Sequence, residues 1–133
     1  MREILFRGKR TGDNKWVEGN LEYHPITKLA FIRMPKHIYI SIEMVDPVTV
    51  GQYTNQIDKN GVKIFEGDIC RHRVVVDGEV LEDDVGNVCL RHGSWTIMDK
   101  FGYIAVGQCS SDSLEVIGNI RDSPELLTEA EHE

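Results

Sequence analysis

The chain has 133 residues, 41% of them apolar, and a formal net charge of −7 at pH 7. A chain of this length buries roughly two-thirds of its unfolded surface, and a composition this apolar argues against disorder, so one stable domain is expected without staples. No apolar run approaches the roughly 18 residues of a membrane span, and Met1-Arg2-Glu3-Ile4-Leu5-Phe6-Arg7 lacks the apolar core of a signal peptide, which leads to the expectation of a cytoplasmic protein with no membrane partner.

In chain order, Arg2 to Arg7 reads as a first strand ending at Gly8, and the turn cluster Thr11-Gly12-Asp13-Asn14 leads into a second over Trp16 to Tyr23. His24-Pro25 interrupts that hairpin, because proline restricts both itself and its predecessor. Lys28 to Met34 is a third strand, and His37 to Ile42, with Ile38, Ile40 and Ile42 alternating against Tyr39 and Ser41, has the pattern of a half-buried fourth. Asp46-Pro47 is placed to open one helical turn, Asp as cap and Pro at the first position.

The centre of the chain is built on turns. Asn60-Gly61 between apolar residues predicts a type I′ hairpin, since both residue types reach positive φ cheaply. Glu66-Gly67-Asp68 reverses the chain again, with Gly67 turning it and Asp68 bonding nearby amides, and opens a strand over Ile69 to Val76. Asp77-Gly78 is another two-residue hairpin signal, while Glu82-Asp83-Asp84 reads as an exposed loop interrupting Val80 to Leu90. Trp95 to Met98, Tyr103 to Val106 and Leu114 to Ile120 complete a series of short strands suited to a small barrel or sandwich. Pro124 to Ala130, capped by Ser123, is the one segment with good helix formers. The fold class is mainly β with minor helix (α+β by a strict count), arranged as a β-rich lobe over 1–45, a hairpin plus a small barrel or sandwich over 46–122, and a short C-terminal helix or frayed tail over 123–133.

Several of these blocks resemble the YopX family of phage and prophage proteins. Asp46-Pro47, Thr49-Val50-Gly51-Gln52-Tyr53-Thr54, Asp58-Lys59-Asn60-Gly61 and Ile64-Phe65-Glu66-Gly67-Asp68-Ile69 are similar to its central signature. Phe6-Arg7-Gly8-Lys9-Arg10 with Trp16-Val17-Glu18-Gly19 resembles its opening, and Leu114-Glu115-Val116-Ile117-Gly118-Asn119-Ile120 with Asp122 and Pro124-Glu125-Leu126 resembles its close. Where the family has Gly-Leu after Tyr-Thr this chain has Asn55-Gln56, and Asn supplies the left-handed backbone that Gly would. The resemblance implies one YopX-like domain over 1–133, an SH3-like small barrel in the C-terminal part, a phage or prophage origin, and no established activity.

Charge divides unevenly: Met1 to Arg73 holds 12 Lys and Arg against 9 Asp and Glu, and Val74 to Glu133 holds 3 against 13. Such a split suits complementary faces within a monomer or oligomer, or a basic lobe that touches an anionic partner. Nucleic-acid-binding domains normally carry a net basic balance, which favours the first. Arg7, Lys9, Arg10 and Lys15 around a turn leading to Trp16 are nonetheless the candidate nucleic-acid contacts, cations for phosphate and a ring for stacking. Against them stands the reading of Trp16 as a core residue of the first hairpin.

Cys70, His72, Cys89 and His92 have metal-ligand chemistry but lack a Cys-x-x-Cys pair, and they read as core cysteines and surface histidines. With Cys109 the cysteines are odd in number and scattered, a poor disulfide framework. Glu66, Asp68, Glu82, Asp83 and Asp84 are not expected to be catalytic, because acid–base pairs need a partly buried cleft. No nucleophile elbow or phosphate-binding loop is present. The expected function is a non-enzymatic protein-interaction module without catalytic residue, metal or cofactor, forming homo-oligomers or binding a host or phage protein. A nucleic-acid-binding accessory factor is the alternative, and a metal-assisted hydrolase the third reading.

Overall fold

Short apolar runs bounded by turn residues form eleven strands and one helix in the computed structural model, which describes residues 2–132. The chain divides into two compact units, the first ending at Tyr53 and the second beginning at Thr54.

The first unit is an antiparallel meander of β1 (Phe6–Lys9), β2 (Trp16–His24), β3 (Leu29–Pro35) and β4 (Ile40–Val45). β1 also pairs with the start of β5 (Gly51–Ile57), Phe6 opposite Gln52 and Arg7 opposite Gly51. The sheet curls until the end of β1 returns to the end of β4: Arg10 bridges Val45, the Thr11 N–H donates to the Met44 carbonyl at 3.1 Å, and the Asp46 N–H donates to the Lys9 carbonyl at 2.9 Å. Gly8 permits that approach, because a β-carbon there would lie 2.9 Å from Val45 Cγ2. Ala30, Ile32 and Val45 form the buried centre, flanked by Phe6, Val17, Leu21, Met34 and Val50. Asp46 caps a single 3-10 turn at Pro47–Thr49 as expected, its carboxylate accepting the Val48 N–H at 3.1 Å.

Two strands of this unit differ from the sequence reading by more than a residue. The first strand begins at Phe6 rather than Arg2. More consequentially, the fourth strand is Ile40–Val45, and the alternating isoleucines face outward: Ile38, Ile40 and Ile42 are 86%, 54% and 50% exposed. The register decides this. Val45 is drawn under the sheet, which puts Ser41 and Glu43 on its side and Ile40, Ile42 and Met44 on the other. Glu43 accepts a hydrogen bond from the Ser41 hydroxyl at 2.9 Å and lies 3.8 Å from Arg10, so the inward charge is paired.

The second unit contains the rest of β5, β6 (Lys63–Phe65), β7 (Asp68–Val76), β8 (Glu79–Arg91), β9 (Ser94–Asp99), β10 (Gly102–Ala105), β11 (Leu114–Asn119) and helix α1 (Glu125–His132). Five strands form one antiparallel sheet in the order β10-β9-β8-β7-β11. This is the mainly β architecture expected; closure as an SH3-like barrel stays an implication of the resemblance. Ile64, Cys70, Val88, Ile97, Val106 and Leu114 make the core. Helix α1 packs against β8, with Leu126 over Gly118.

The turn after β5 is not type I′, because only Gly61 takes a positive φ, 78°, and Asn60 does not. The Gly61 N–H donates to the Asp58 carbonyl at 3.0 Å and the Asp58 N–H to the Val62 carbonyl at 2.9 Å, a three-residue loop closed by a left-handed glycine. Asp58 dictates this form. Its side chain, 2% exposed, accepts the N–H groups of Asn60 at 2.8 Å, Val62 at 2.9 Å and Val116 at 2.9 Å. The Lys59 N–H also donates to the Leu114 carbonyl at 2.9 Å, so the loop grips the start of β11. At the next turn Asp68 accepts the Phe65 N–H at 2.7 Å, as expected, and Gly67 bonds Val88 at 2.9 Å and Ile120 at 2.8 Å. Asn55, in the place of the family's glycine, is left-handed at φ 66°.

The acidic trio is not an exposed loop; it lies within the continuous strand β8. Pairing of His72 with Asp84, Arg73 with Asp83 and Val74 with Glu82 carries the strand through, and alternation divides the charges between two faces. Asp83 accepts two hydrogen bonds from Arg71, each 2.7 Å, and Glu82 and Asp84 face the His72 side.

Burial by itself would raise the Asp58 pKa, but the N–H donors of Val116, Val62 and Asn60 outweigh it and hold the carboxyl below its ordinary value. A carboxyl depressed by folding contributes stability above its unfolded pKa and loses it as pH falls through the folded value. Asp58→Asn keeps the shape but sets an amide donor against one of those N–H groups. A loss of about 1–3 kcal/mol at pH 7 is expected, shrinking as the parent is acidified below about pH 4, as measured by urea denaturation across pH.

Candidate interaction surfaces

Of the five candidate nucleic-acid contacts, the structure gathers three. Alternation in β1 turns Arg7 and Lys9 to the face opposite Gly8, and the register sets Trp16 directly across from Lys9. The Arg7 guanidinium lies 4.6 Å from the Trp16 ring centroid and the Lys9 ammonium 5.5 Å. Contacts of this kind contribute about 0.5–1 kcal/mol at exposed sites. Glu18 stands opposite Arg7 on the same face. A base stacking on the ring face that Arg7 covers must displace it, so Trp16 is a half-buried partner of the sheet's own cations.

Arg10 is held elsewhere, by the turn. Arg10 donates to Asp13 at 3.1 and 2.7 Å, and the Lys15 N–H donates to the same carboxylate at 3.1 Å. The Lys15 backbone bond and the Arg10 side-chain bond hold the Asp13 carboxyl below its ordinary value. Arg10 is therefore a partner of the turn rather than part of a cationic surface.

The residues with metal-ligand chemistry diverge. Cys70 and His72 share the buried face of β7, opposite Gly86 and Asp84, whereas Cys89 pairs with Thr96 on the other face of β8 and His92 occupies the following turn at φ 52°. Among the described residues no group of three or more His, Cys, Asp or Glu is placed to hold a metal ion. Beside His72, burial, a hydrogen bond shared with Glu82 and the charge of Asp99 push the Asp84 pKa up, with His72 opposing them. Burial likewise raises the Cys109 thiol.

A cleft of about 280 Å³ in the second unit is lined by Lys59, Arg71, Arg73, Ser113 and Glu115 among others. Its cations are already matched: Lys59 lies 3.2 Å from Glu115, Arg71 forms a two-bonded fork with Asp83, and Arg73 lies 3.9 Å from the same carboxylate. Asp58, hidden in a stretch read only as a turn, is the functional-looking carboxylate the sequence reading missed. Its structural role rests on Val116, a contact that no local pattern encodes.

What stands unmatched is apolar. On the outer face of the first unit, the register places Phe31 opposite Met44 and Arg33 opposite Ile42, with Ile40 opposite Pro35. Ile40, Ile42 and Met44 are all exposed there. β4 ends the sheet on that side, its far edge bonded where Lys9–Thr11 reach Met44–Asp46.

Fold and surfaces together define a small antiparallel β protein in which Arg7, Lys9 and Arg10 are engaged locally and whose outermost strand displays apolar side chains. The family model described as YopX protein matches residues 5–128, and the chain belongs to the YopX family. The crystal structure of protein EF1440 from Enterococcus faecalis is similar at a TM-score of 0.60 and 24% identity, covering 96% of this chain and 99% of that one. Protein yopX from Bacillus subtilis is similar at a TM-score of 0.59 and 18% identity, covering 96% and 97%. At these identities the likeness to the two structures speaks for the fold. No curated protein matches the chain.

With one face of the Trp16 ring covered and Arg10 paired, weak or no binding of free nucleic acid is expected. No gel shift of single- or double-stranded oligonucleotides is expected at ~10 µM protein in ~0.15 M salt, conditions under which non-specific binders engage. Micromolar binding that loosens steeply with salt and disappears in Lys9→Ala/Arg10→Ala, with the fold intact, would contradict this.

Proposed function

We propose that the protein is a non-enzymatic protein-interaction module of phage or prophage origin, working in the cytoplasm of a bacterial host and associating with further copies of itself. The observation that carries this reading is the outward face of β4. An end strand with Ile40, Ile42 and Met44 exposed, Ile38 exposed just ahead of it, and a far edge bonded to Lys9–Thr11 only at Met44–Asp46 combines apolar area with backbone over Ile40–Glu43 for pairing. Fully burying one such side chain is worth about 1.5–3 kcal/mol, so covering two or three supplies a useful association energy. Lysine, proline and bulges commonly blunt an edge strand, and Ile40-Ser41-Ile42-Glu43-Met44-Val45 contains neither Lys nor Pro.

The alternative, a nucleic-acid-binding accessory factor, draws support from the Arg7, Lys9 and Trp16 cluster; the oligonucleotide titration separates it from the interaction module.

Sedimentation velocity tests the proposal. The protein is expected to associate at high micromolar concentration in low salt, and Ile40→Lys/Ile42→Lys to sediment as monomer with its melting temperature nearly unchanged, because both positions are exposed. A parent that stays monomeric under those conditions would overturn the reading.

A further inference from the structure

We propose that the occupant of the β4 face is the β7–β8 ribbon of a second copy of this chain, an inference that rests on the interaction-module reading. β7 pairs with β11 only over Asp68–His72, and β8 pairs with β9 only from Asn87 onward. Beyond those points, among the described residues, Arg73–Val76 and Glu79–Asp83 pair with one another alone. They form a two-stranded ribbon that runs past the sheet, turned by Asp77 and Gly78 at φ 52° and 80°. An isolated two-stranded ribbon is marginal in water and gains by packing against a further layer. This one is also apolar: Val75, Val76, Val80 and Leu81 are between 44% and 58% exposed.

Charge selects the partner. From Arg73 to Asp83 the ribbon carries Asp77, Glu79, Glu82 and Asp83 against Arg73, which lies 3.9 Å from Asp83. From Lys28 to Val45 the other surface carries Lys28, Arg33 and Lys36 against Glu43 alone, and Glu43 faces the opposite side of the sheet. Among the described residues, the one carboxylate beside Arg33 on its own face is Glu22 of β2, 4.0 Å away. Arg33 stands opposite Ile42, in the middle of the exposed apolar group. On the ribbon, Val76 pairs with Glu79 and Val74 with Glu82, which sets carboxylates beside valines in the same way. Apolar area thus meets apolar area while cations meet carboxylates. The lengths agree as well: four ribbon residues and the four β4 residues ahead of Met44 each span about 13 Å. Every copy carries both halves of the contact, so the interface joins unlike patches and propagates or closes into a ring.

Charge exchange on the full-length chain tests this. Arg33→Glu/Lys36→Glu and Glu79→Lys/Glu82→Lys, checked for parental melting temperatures, are each expected to weaken self-association at least about tenfold in sedimentation equilibrium. An equimolar mixture of the two variants is expected to regain it, because each contact between unlike variants is then either parental or doubly reversed, while contacts between like copies stay repulsive. A short bismaleimide should also link Ile42→Cys of one copy to Val76→Cys of another, and failure to link them in an associating mixture would count against the ribbon. If Glu79→Lys/Glu82→Lys associates like the parent while Ile40→Lys/Ile42→Lys does not, the ribbon is not the occupant and the β4 reading stands. A parent that is monomeric throughout overturns both.

Discussion

The carboxylate of Asp58 is the constraint on which the second unit depends. An ionised carboxylate buried without partners costs several kcal/mol, so a side chain 2% exposed must hold its donors. Two of those donors, the N–H groups of Asn60 and Val62, fix the shape of the loop, and the third belongs to Val116, 58 residues further along the chain. A one-residue slip of β11 would turn Leu114 and Val116 away from the core and take the Val116 amide from Asp58. The loop therefore sets the register of a distant strand, and β11 in turn carries that register to β7, where Leu114 faces His72 and Val116 faces Cys70. Gly67 fastens the other end of β11 through Ile120.

Polar groups elsewhere follow a similar rule of local satisfaction. Arg10 is committed to Asp13 and Glu43, Arg71 to Asp83, and Arg7 and Lys9 to the Trp16 ring. Charges engaged in this way are poor candidates for recognising a freely diffusing anion. The apolar side chains of β4 and of the ribbon differ, because no residue of their own unit covers them to the depth of the two cores. That contrast is why the functional reading turns on contact between protein surfaces.

Turns were the legible part of the sequence, since each depends on a few adjacent residues. Asp46-Pro47, Gly67 with Asp68, Asp77-Gly78 and the left-handed Asn55 all stand where local chemistry places them. Strand orientation was not legible. Alternation along Ile38-Tyr39-Ile40-Ser41-Ile42 marks two faces without saying which is buried, and the choice fell to Val45 and its bridge to Arg10. The acidic trio misled for the same reason: its partners Arg71 and His72 lie on another strand, and a run of carboxylates reads as solvated until they are seen. Of the candidate site, the sequence reading identified Arg7, Lys9 and Trp16 as a group, but not that they would engage one another.

Amide hydrogen exchange at Val116 tests the claim about Asp58 most directly. If the carboxylate holds β11 in register, the Val116 N–H opens only with the second unit as a whole, and its protection should match that of core amides such as Ile97. In Asp58→Asn it should drop to a local-opening value while Ile97 stays slow. Equal Val116 protection in both proteins, or fast exchange in the parent, would contradict the account.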